Sequence, residues 1–277
     1  MIDKPDYDPE EDDNDAFGER EPAQTGFLDH VEDLRRTVLK SALALVLASC
    51  MAIFFFSRLA SALKWPLDRA LADQPERLAA LTTTDPFGVF SVLIQVCLLG
   101  GVAIALPFIF YFVIHFVAPA LTEAEKRILK PCCLAIFGLF LLGMLFSYFL
   151  ILPATLEASL YFNQLLGLDT IWTAKSYYGM VVWMCLGVGL AFEFPLVLVL
   201  LQHLGVVETR IFREGRRYAV VIVMIVAALI TPGGDPVSLA LLCLPMYGMY
   251  EVAILVGGWM EKRKARQRAL DEQASEL

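Results

Sequence analysis

Charged residues, nucleotide-binding loops and paired cysteines are scarce or absent in this sequence. Only 19% of its 277 residues are charged and 58% are hydrophobic, whereas soluble domains average about 25% charged and about 45 to 50% apolar residues. No GxxxxGK[ST] loop occurs, which argues against a P-loop nucleotide hydrolase. The composition therefore predicts a polytopic membrane protein.

The cysteines do not form a recognisable framework. All six lie in or beside apolar runs, without CxxC or Cys/His spacing: Cys50, Cys97, Cys132, Cys133, Cys185 and Cys243. We interpret them as small hydrophobic residues and not as disulfide partners or metal ligands. No metal and no cofactor are expected.

The charge that does occur is concentrated near the N-terminus. Residues 1–21 hold ten acidic side chains against Lys4 and Arg20, which accounts for the formal net charge of −8. Such a segment cannot bury enough apolar surface to offset its ordering entropy, so we expect residues 1–26 to form a disordered cytoplasmic tail. The segment also lacks the basic or apolar start of signal and transit peptides.

Six apolar segments follow, at residues 38–56, 88–112, 131–151, 177–201, 218–230 and 237–250. The first four have about 19 to 25 residues, enough to cross a hydrocarbon layer of ~30 Å. The last two have about 13 to 14 residues each, which predicts a shallow pair of short helices and a locally thinner bilayer. We therefore predict an all-α integral membrane domain of six transmembrane helices over residues 27–260, followed by a charged cytoplasmic tail at 261–277.

Aspartate-proline pairs mark two predicted helix starts. In "TPGGDP", Asp235 is expected to cap the sixth helix, whose first residue would be Pro236. Asp85 and the proline after it are expected to open the second helix in the same way. Asp85 and Asp235 are therefore interpreted as structural residues, although a functional role for Asp235 stays open.

Basic residues are distributed unequally between the two faces that these segments would create. Fifteen flank one face and five flank the other. The positive-inside rule then places both termini in the cytoplasm. No internal repeat is visible, which weighs against common transporter architectures.

The stretch "FLDHVEDLRR", residues 27–36, precedes the first membrane helix. At helical spacing Asp29 and Asp33 share a face, with His30 close to Asp33. These residues fit either a solvated interfacial helix with local ion pairs or a binding site.

The stretch "FVAPALTEAEKRILKP", residues 116–131, lies on the same predicted side. Thr122 and Glu125 form a capping box, which is a sufficient structural explanation for the acid. A carboxylate between the apolar Phe116 and the membrane interface is also suited to receive a guanidinium group. The two roles are compatible before and after a ligand arrives.

Glu193 is an acid within the fourth apolar segment. An acidic side chain at the centre of a membrane helix costs roughly 2.5 to 3.5 kcal/mol, so it persists only where something pairs or uses it. Pro195 removes a helical hydrogen bond nearby, which loosens the backbone beside the acid. Either a structural polar pair in the bundle or a functional contact explains it. Glu251, in contrast, is expected to return to the level of Arg216 and Arg217 and to pair there.

Six stretches together resemble the TatC family, the polytopic core subunits of the twin-arginine protein translocase. They are "HVEDLRR", "FVAPALTEAEKR", "FSYFLILP", "GVGLAFEFP", "RRYAVV" and "TPGGDPVSLALLCLPMYGMYE", and the resemblance covers roughly residues 27–259. It implies a cupped arrangement of six helices, the last two short, in the bacterial inner membrane. It also implies that the protein is not an enzyme, binds no nucleic acid and draws on the proton motive force.

The resemblance further implies partners and site residues. The partners are twin-arginine signal peptides of folded proteins and single-span subunits of the TatA/TatB type, in a hetero-oligomer of several copies within the lipid bilayer. The implied signal-peptide site contains Glu32, Asp33, Arg35, Phe116, Glu125, Lys126 and Arg127. The family's glutamate aligns with Asp33, so the shorter side chain leaves room for Glu32 to share the task. Glu193, with Pro195, matches the family's intramembrane acid, which is thought to meet a polar group on a partner helix.

Two other functions are compatible with the sequence. An ion-coupled solute transporter would use Glu193 as its protonatable site and would need a second intramembrane ligand, for which Glu251 lies too near the end of the hairpin. A passive membrane scaffold would make the cytoplasmic acids dispensable.

Overall fold

The computed structural model describes residues 22–72, 81–117, 123–168, 171–203 and 207–275, and this part of the chain is almost entirely helical. Its elements in chain order are α1 (Pro22–Ile53), α2 (Phe56–Ala62), α3 (Trp65–Ala70), α4 (Gly88–Val117), α5 (Glu123–Phe146), a π turn (Ser147–Ile151), α6 (Leu152–Leu165), α7 (Ala174–His203), α8 (Thr209–Glu214), α9 (Arg216–Ile230), a 3-10 turn (Pro232–Gly234) and α10 (Pro236–Ser275). The acidic residues 1–21 lie outside the described residues. Helix α1 begins at Pro22, inside the stretch that the sequence assigned to the tail.

Five helical stretches are long and apolar enough to cross a membrane. They are Val31–Ile53, Gly88–Phe116, Leu134–Leu165, Ala174–Gln202 and Pro236–Arg263. The remaining apolar helix, α9, has 15 residues, or about 22 Å, which is less than the ~30 Å of a hydrocarbon layer. The prediction of a short fifth helix is therefore confirmed, and the chain is a multi-pass membrane protein.

The prediction of a short sixth helix is wrong. Helix α10 is 40 residues long, and its apolar stretch spans 28 of them. The expected end lay beside Glu251, but glutamate is a good helix former and one such residue does not stop a helix. Beyond it the apolar run resumes and continues to Trp259, and helix-favouring residues then carry α10 to Ser275, within the predicted C-terminal tail.

The third apolar segment also extends further than predicted. It was expected to end at residue 151, but the helix passes through the π turn and continues as α6 to Leu165. Pro153 does not interrupt this helix because it directly follows the π turn, where the backbone bonds have already left the regular α-helical pattern. The π turn widens the helix in the middle of the bundle, and its Ser147 and Ile151 are fully buried.

Helix α7 occupies the centre of the bundle and packs against α4, α5, α9 and α10. The main core is formed where these helices and the π turn meet, and its fully buried members include Val96, Ile151, Val181, Val188 and Leu242. Helix α1 packs closely on α4 at Gly101. The helices can approach because this residue has no side chain, and a side-chain carbon there would overlap Ser49. Several large apolar side chains of α1, among them Val38, Leu43 and Leu47, are exposed, as expected for a helix that faces lipid.

Helices α2 and α3 close one end of the bundle, called the cap end below. Three tyrosine hydroxyl groups donate hydrogen bonds to backbone carbonyls at the C-terminal end of α2: Tyr148 to Ala62 at 2.5 Å, Tyr177 to Leu63 at 2.7 Å and Tyr178 to Ala60 at 2.9 Å. Asp85 lies at the same end, where its side chain accepts a hydrogen bond from the backbone N–H of Phe87 at 3.1 Å. It caps a turn, and α4 begins at Gly88, two residues later than predicted.

Candidate functional site

The opposite end of the bundle carries most of the basic residues and is called the basic end below. It contains the end of α7, all of α8, the start of α9 and the later part of α10. Gln202 is buried and accepts a hydrogen bond from the Thr209 hydroxyl at 3.0 Å. The Thr209 backbone N–H donates to Glu261 Oε1 at 2.9 Å. These bonds fix α8 between α7 and α10.

The start of α1 presents two of the acids predicted to bind a signal peptide. Glu32 forms ion pairs with Arg35 at 3.6 Å and with Arg36 at 3.3 Å. Asp33 is exposed and forms no ion pair within the described part of the chain. The structure therefore distinguishes two neighbours that the sequence could not separate, because the Glu32 carboxylate already has two guanidinium groups and the Asp33 carboxylate has none.

The second predicted acid lies at the start of α5. This helix begins at Glu123, so Glu125, Lys126 and Arg127 lie in its first turns, but their side chains are outside the described residues. The capping box is likewise untested, since Thr122 is also outside them. Phe116 lies at the end of α4 and is half-buried.

Glu193 lies on the side of α7 that packs against α5. The two helices are close here, since an added side-chain carbon at Gly189 would lie 2.8 Å from the Phe140 ring and one at Gly143 would lie 2.9 Å from Phe192. Glu193 is 9% exposed, and its Oε1 has no hydrogen-bond partner among the described residues. Pro195 follows within the same continuous helix. The structure thus supplies no internal polar pair for this carboxylate oxygen.

An apolar groove of about 390 Å³ lies on the adjoining surface, between α7 and α9. Trp183, Leu190 and Phe194 line it from α7, and Ile222 and Val226 line it from α9. The groove opens to the exterior beside Phe194, which directly follows Glu193. A second apolar helix could lie there.

Two sequence-based pairings are confirmed. Arg216 donates to Glu251 Oε2 at 2.8 Å, and the Tyr247 hydroxyl donates to Glu251 Oε1 at 3.0 Å. Asp235 accepts a hydrogen bond from the Ser238 backbone N–H at 2.7 Å, as an N-cap does. Because both Glu251 oxygens are occupied, this acid is not the second ion ligand that a transporter based on Glu193 would need.

Sequence reasoning missed the buried polar groups inside the bundle. Ser147, Thr155, Thr231 and Ser238 are all buried, yet each looks unremarkable in an apolar run. Only their spacing across four separate elements could have indicated a shared role, and the sequence does not give that spacing.

The comparisons with known proteins agree with this architecture. Residues 29–245 match the family model for Sec-independent protein translocase protein (TatC). A protein of this name from Akkermansia muciniphila is 36% identical over 204 residues, which cover 73% of this chain and 58% of that relative. The Aquifex aeolicus protein of the same name is 34% identical over 239 residues, which cover 85% of this chain and 96% of the relative.

A solved structure is also similar. The crystal structure of a twin-arginine translocase receptor, TatC, superposes with a TM-score of 0.71 and 33% sequence identity, covering 84% of this chain and 99% of that one. Sequence and fold therefore agree over nearly the whole membrane domain, and they do not support the transporter alternative. The chain belongs to the TatC family of Sec-independent protein translocase proteins.

Proposed function

We propose that this protein is the membrane receptor of a twin-arginine translocase and binds the paired arginines of signal peptides at its basic end. The observation that carries the proposal is the contrast between Glu32 and Asp33. The Glu32 carboxylate is already paired with Arg35 and Arg36 of its own helix. The exposed Asp33, one residue further, is available for a guanidinium group supplied by a peptide.

The chemistry explains the selectivity for arginine. A guanidinium group is a planar fork of donors and meets a carboxylate through two parallel hydrogen bonds, which an ammonium group cannot reproduce. Two arginines require two acids, and we propose that Glu125 at the start of α5 supplies the second. Arg35, Phe116, Lys126 and Arg127 would border the peptide. Each charged hydrogen bond contributes about 1.5 to 3 kcal/mol, less where water screens it, so capture would be selective and reversible.

The proposed location is the bacterial inner membrane, with the N- and C-termini in the cytoplasm. The excess of basic residues on one face supports this orientation through the positive-inside rule. Arg216, at the start of α9, pairs with the later part of α10, so the basic loops and the C-terminal part of α10 share one end of the bundle. Cargo would then arrive as a folded protein on the cytoplasmic side, and the proton motive force would drive export.

Glu193 is proposed to contact a single-span subunit of the TatA/TatB type within a hetero-oligomer of several copies. Its unpartnered Oε1 would gain a hydrogen bond from a polar group on the partner's membrane helix, and a buried polar group without such a bond is costly in lipid. The apolar groove between α7 and α9 lies on the adjoining surface. It would receive the apolar side of the same helix.

The test of signal-peptide binding is photocrosslinking from a photoreactive phenylalanine analogue at position 116, which leaves Glu125 in place, to a twin-arginine peptide, with a labelled twin-lysine peptide as the control. We expect Asp33→Ala to abolish crosslinking and Glu32→Ala to weaken it less. Glu214→Ala is the matched control, because Glu214 is an exposed acid at the same end and pairs only with its own helical neighbour Arg210 within the described residues. Normal crosslinking by Asp33→Ala, or equal labelling of the two peptides, would contradict the proposal.

The test of partner binding is co-purification with the single-span subunit. Glu193→Gln is expected to retain the partner because it keeps hydrogen-bonding groups, and Glu193→Leu is expected to lose it. Glu157→Leu serves as the control, since this acid is exposed on α6. Equal recovery of the partner with Glu193→Leu would refute the proposed contact.

A further inference from the structure

We propose that a polar inlet for water enters the bundle at the turn between α9 and α10 and ends at the π turn, about halfway through the molecule. The inlet is defined by five polar side chains from four elements: Ser147, Thr155, Thr231, Asp235 and Ser238. It lies on the cap side of Glu193 and is separate from the acids at the basic end.

The mouth of the inlet is the turn between α9 and α10. One Asp235 oxygen caps α10 through the Ser238 backbone N–H. The other, Oδ2, is buried and has no hydrogen-bond partner among the described residues. Thr231 is 3% exposed, and its hydroxyl is likewise without a partner there. Two polar groups therefore lie below the protein surface with unused hydrogen-bonding capacity.

The middle of the inlet is a directed pair of hydrogen bonds. Thr155 donates to the Ile151 carbonyl at 2.8 Å, and the Thr155 and Ser238 hydroxyl oxygens are 2.6 Å apart. Since the Thr155 proton is already used, Ser238 must be the donor to Thr155. The bonds therefore run from α10 to α6 and then to the π turn.

The floor of the inlet is Ser147, the first residue of the π turn. It is fully buried, and its hydroxyl has no hydrogen-bond partner among the described residues. The Cys185 thiol of α7 lies beside it and is 2% exposed. Below this level the aromatic rings of Phe146 and Phe192, 5.5 Å apart, separate the inlet from Glu193.

The spacing of these groups suits bridging water. Thr155, Ile151 and Ser147 are four residues apart along one helical segment, so each step is about 6 Å, the span of one bridging water. Buried waters in proteins typically join such otherwise unsatisfied polar groups. π turns also occur frequently at functional sites. If water reaches Ser147, the transmembrane potential falls mainly across the dry part of the bundle between Ser147 and the basic end. That part contains Glu193.

The test measures access of Ag⁺ to Cys185 in vesicles that contain the full chain, with the other five cysteines replaced by alanine. After each exposure to Ag⁺, the protein is denatured and labelled with N-ethylmaleimide. The loss of labelling measures the fraction of the thiol that has reacted with Ag⁺. The control retains only Cys97, which is 5% exposed. Its depth is similar, because Cys97 lies about 14 Å from the first residue of α4 and Cys185 lies about 17 Å from the first residue of α7. We expect Ag⁺ added on the side of the α9–α10 turn to react at least about tenfold faster with Cys185, because a cation enters apolar surroundings at a high cost. Equal rates for the two cysteines, or faster reaction from the opposite side, would overturn the inlet.

Hydroxyl variants locate the route. Thr155→Val keeps the shape of the side chain but removes the hydroxyl, and it is expected to slow the Cys185 reaction severalfold, whereas Thr155→Ser should preserve it. Thr173→Val is the matched control, because its hydroxyl bonds to Ser176 at the cap end, outside the inlet. An unchanged rate in a Thr155→Val protein that elutes as a monodisperse species would overturn the proposed route. The inference does not depend on the proposed peptide binding, since Ag⁺ access and peptide crosslinking are measured separately.

Discussion

The contact between Gly257 and Gln202 supports a quantitative prediction about the basic end. A side-chain carbon at Gly257 would overlap Gln202 Oε1, so Gly257→Ala forces the buried glutamine to move. The hydrogen bond from Thr209 at 3.0 Å would then be lost, and α8 would lose one of the hydrogen bonds that attach it to the neighbouring helices.

The expected magnitude follows from three contributions. An unsatisfied buried oxygen costs about 1 to 3 kcal/mol, and overpacking costs about 1 to 3 kcal/mol more. Replacing glycine by alanine within a helix returns about 0.8 to 1 kcal/mol. We therefore expect a net loss of about 1 to 5 kcal/mol. At about 2 to 4 °C per kcal/mol for a chain of this size, the unfolding temperature should fall by several degrees.

The assay is thermal unfolding of the detergent-solubilised protein, followed by loss of the monodisperse species. Gly248→Ala is the matched control on the same helix, since a side-chain carbon there meets nothing within 4 Å, and it should leave stability unchanged or raise it. The double variant Gly257→Ala with Gln202→Ala should lose less than the sum of the two single variants, because the overlap is relieved. An unfolding temperature for Gly257→Ala equal to that of Gly248→Ala would refute the reasoning.

Three further predictions concern the same unfolding measurement. Tyr177→Phe should cost about 1 to 3 kcal/mol, because the carbonyl of the buried Leu63 loses its 2.7 Å hydrogen bond. Asp235→Ala should cost about 1 kcal/mol through loss of the helix cap, and Asp235→Asn should cost much less. Glu251→Gln should cost under about 1 kcal/mol, because the side chains of Arg216 and Glu251 are 49% and 28% exposed and water screens the pair.

Each of these predictions has its own control. Tyr161→Phe should have no effect, since that tyrosine is 63% exposed, and an equal loss from both tyrosine variants would contradict the role of the Tyr177 hydroxyl. A large loss with Asp235→Asn would show that charge, and not capping, is what the turn needs. Glu214→Gln should leave the stability unchanged, because the side chains of its pair, Arg210 and Glu214, are 80% and 66% exposed. A loss of stability as large as that caused by Glu251→Gln would contradict the importance of the α9–α10 pair.

Several elements could be predicted because their physical causes are local. The Asp235 cap needs only an acceptor three residues before a backbone N–H, and the structure has it. The pairing of Arg216 with Glu251 followed from similar distances along two helices joined by a tight turn. The short α9 followed from the length of its apolar run. These features are set within a few residues or within one hairpin.

Other features could not be predicted because their causes are spread over distant parts of the chain. The length of α10 was underestimated because hydrophobicity was used as the measure of helix length, while charged residues with high helix propensity continued it. Whether Glu32 or Asp33 is available depended on the rotamers of two arginines. The contact of Gln202 with Gly257 joins residues 55 positions apart.

By itself the sequence determined that this protein lies in a membrane, where the turn between α9 and α10 falls and to which family it belongs, because hydrophobic length, capping and family motifs are local properties. The tertiary structure alone decided which buried polar groups find partners. The Ser147 and Thr231 hydroxyl groups and Glu193 Oε1 have no hydrogen-bond partner among the described residues, and Thr155 and Ser238 meet across 83 positions. Pairing of this kind depends on how the helices pack, and no local pattern encodes that packing.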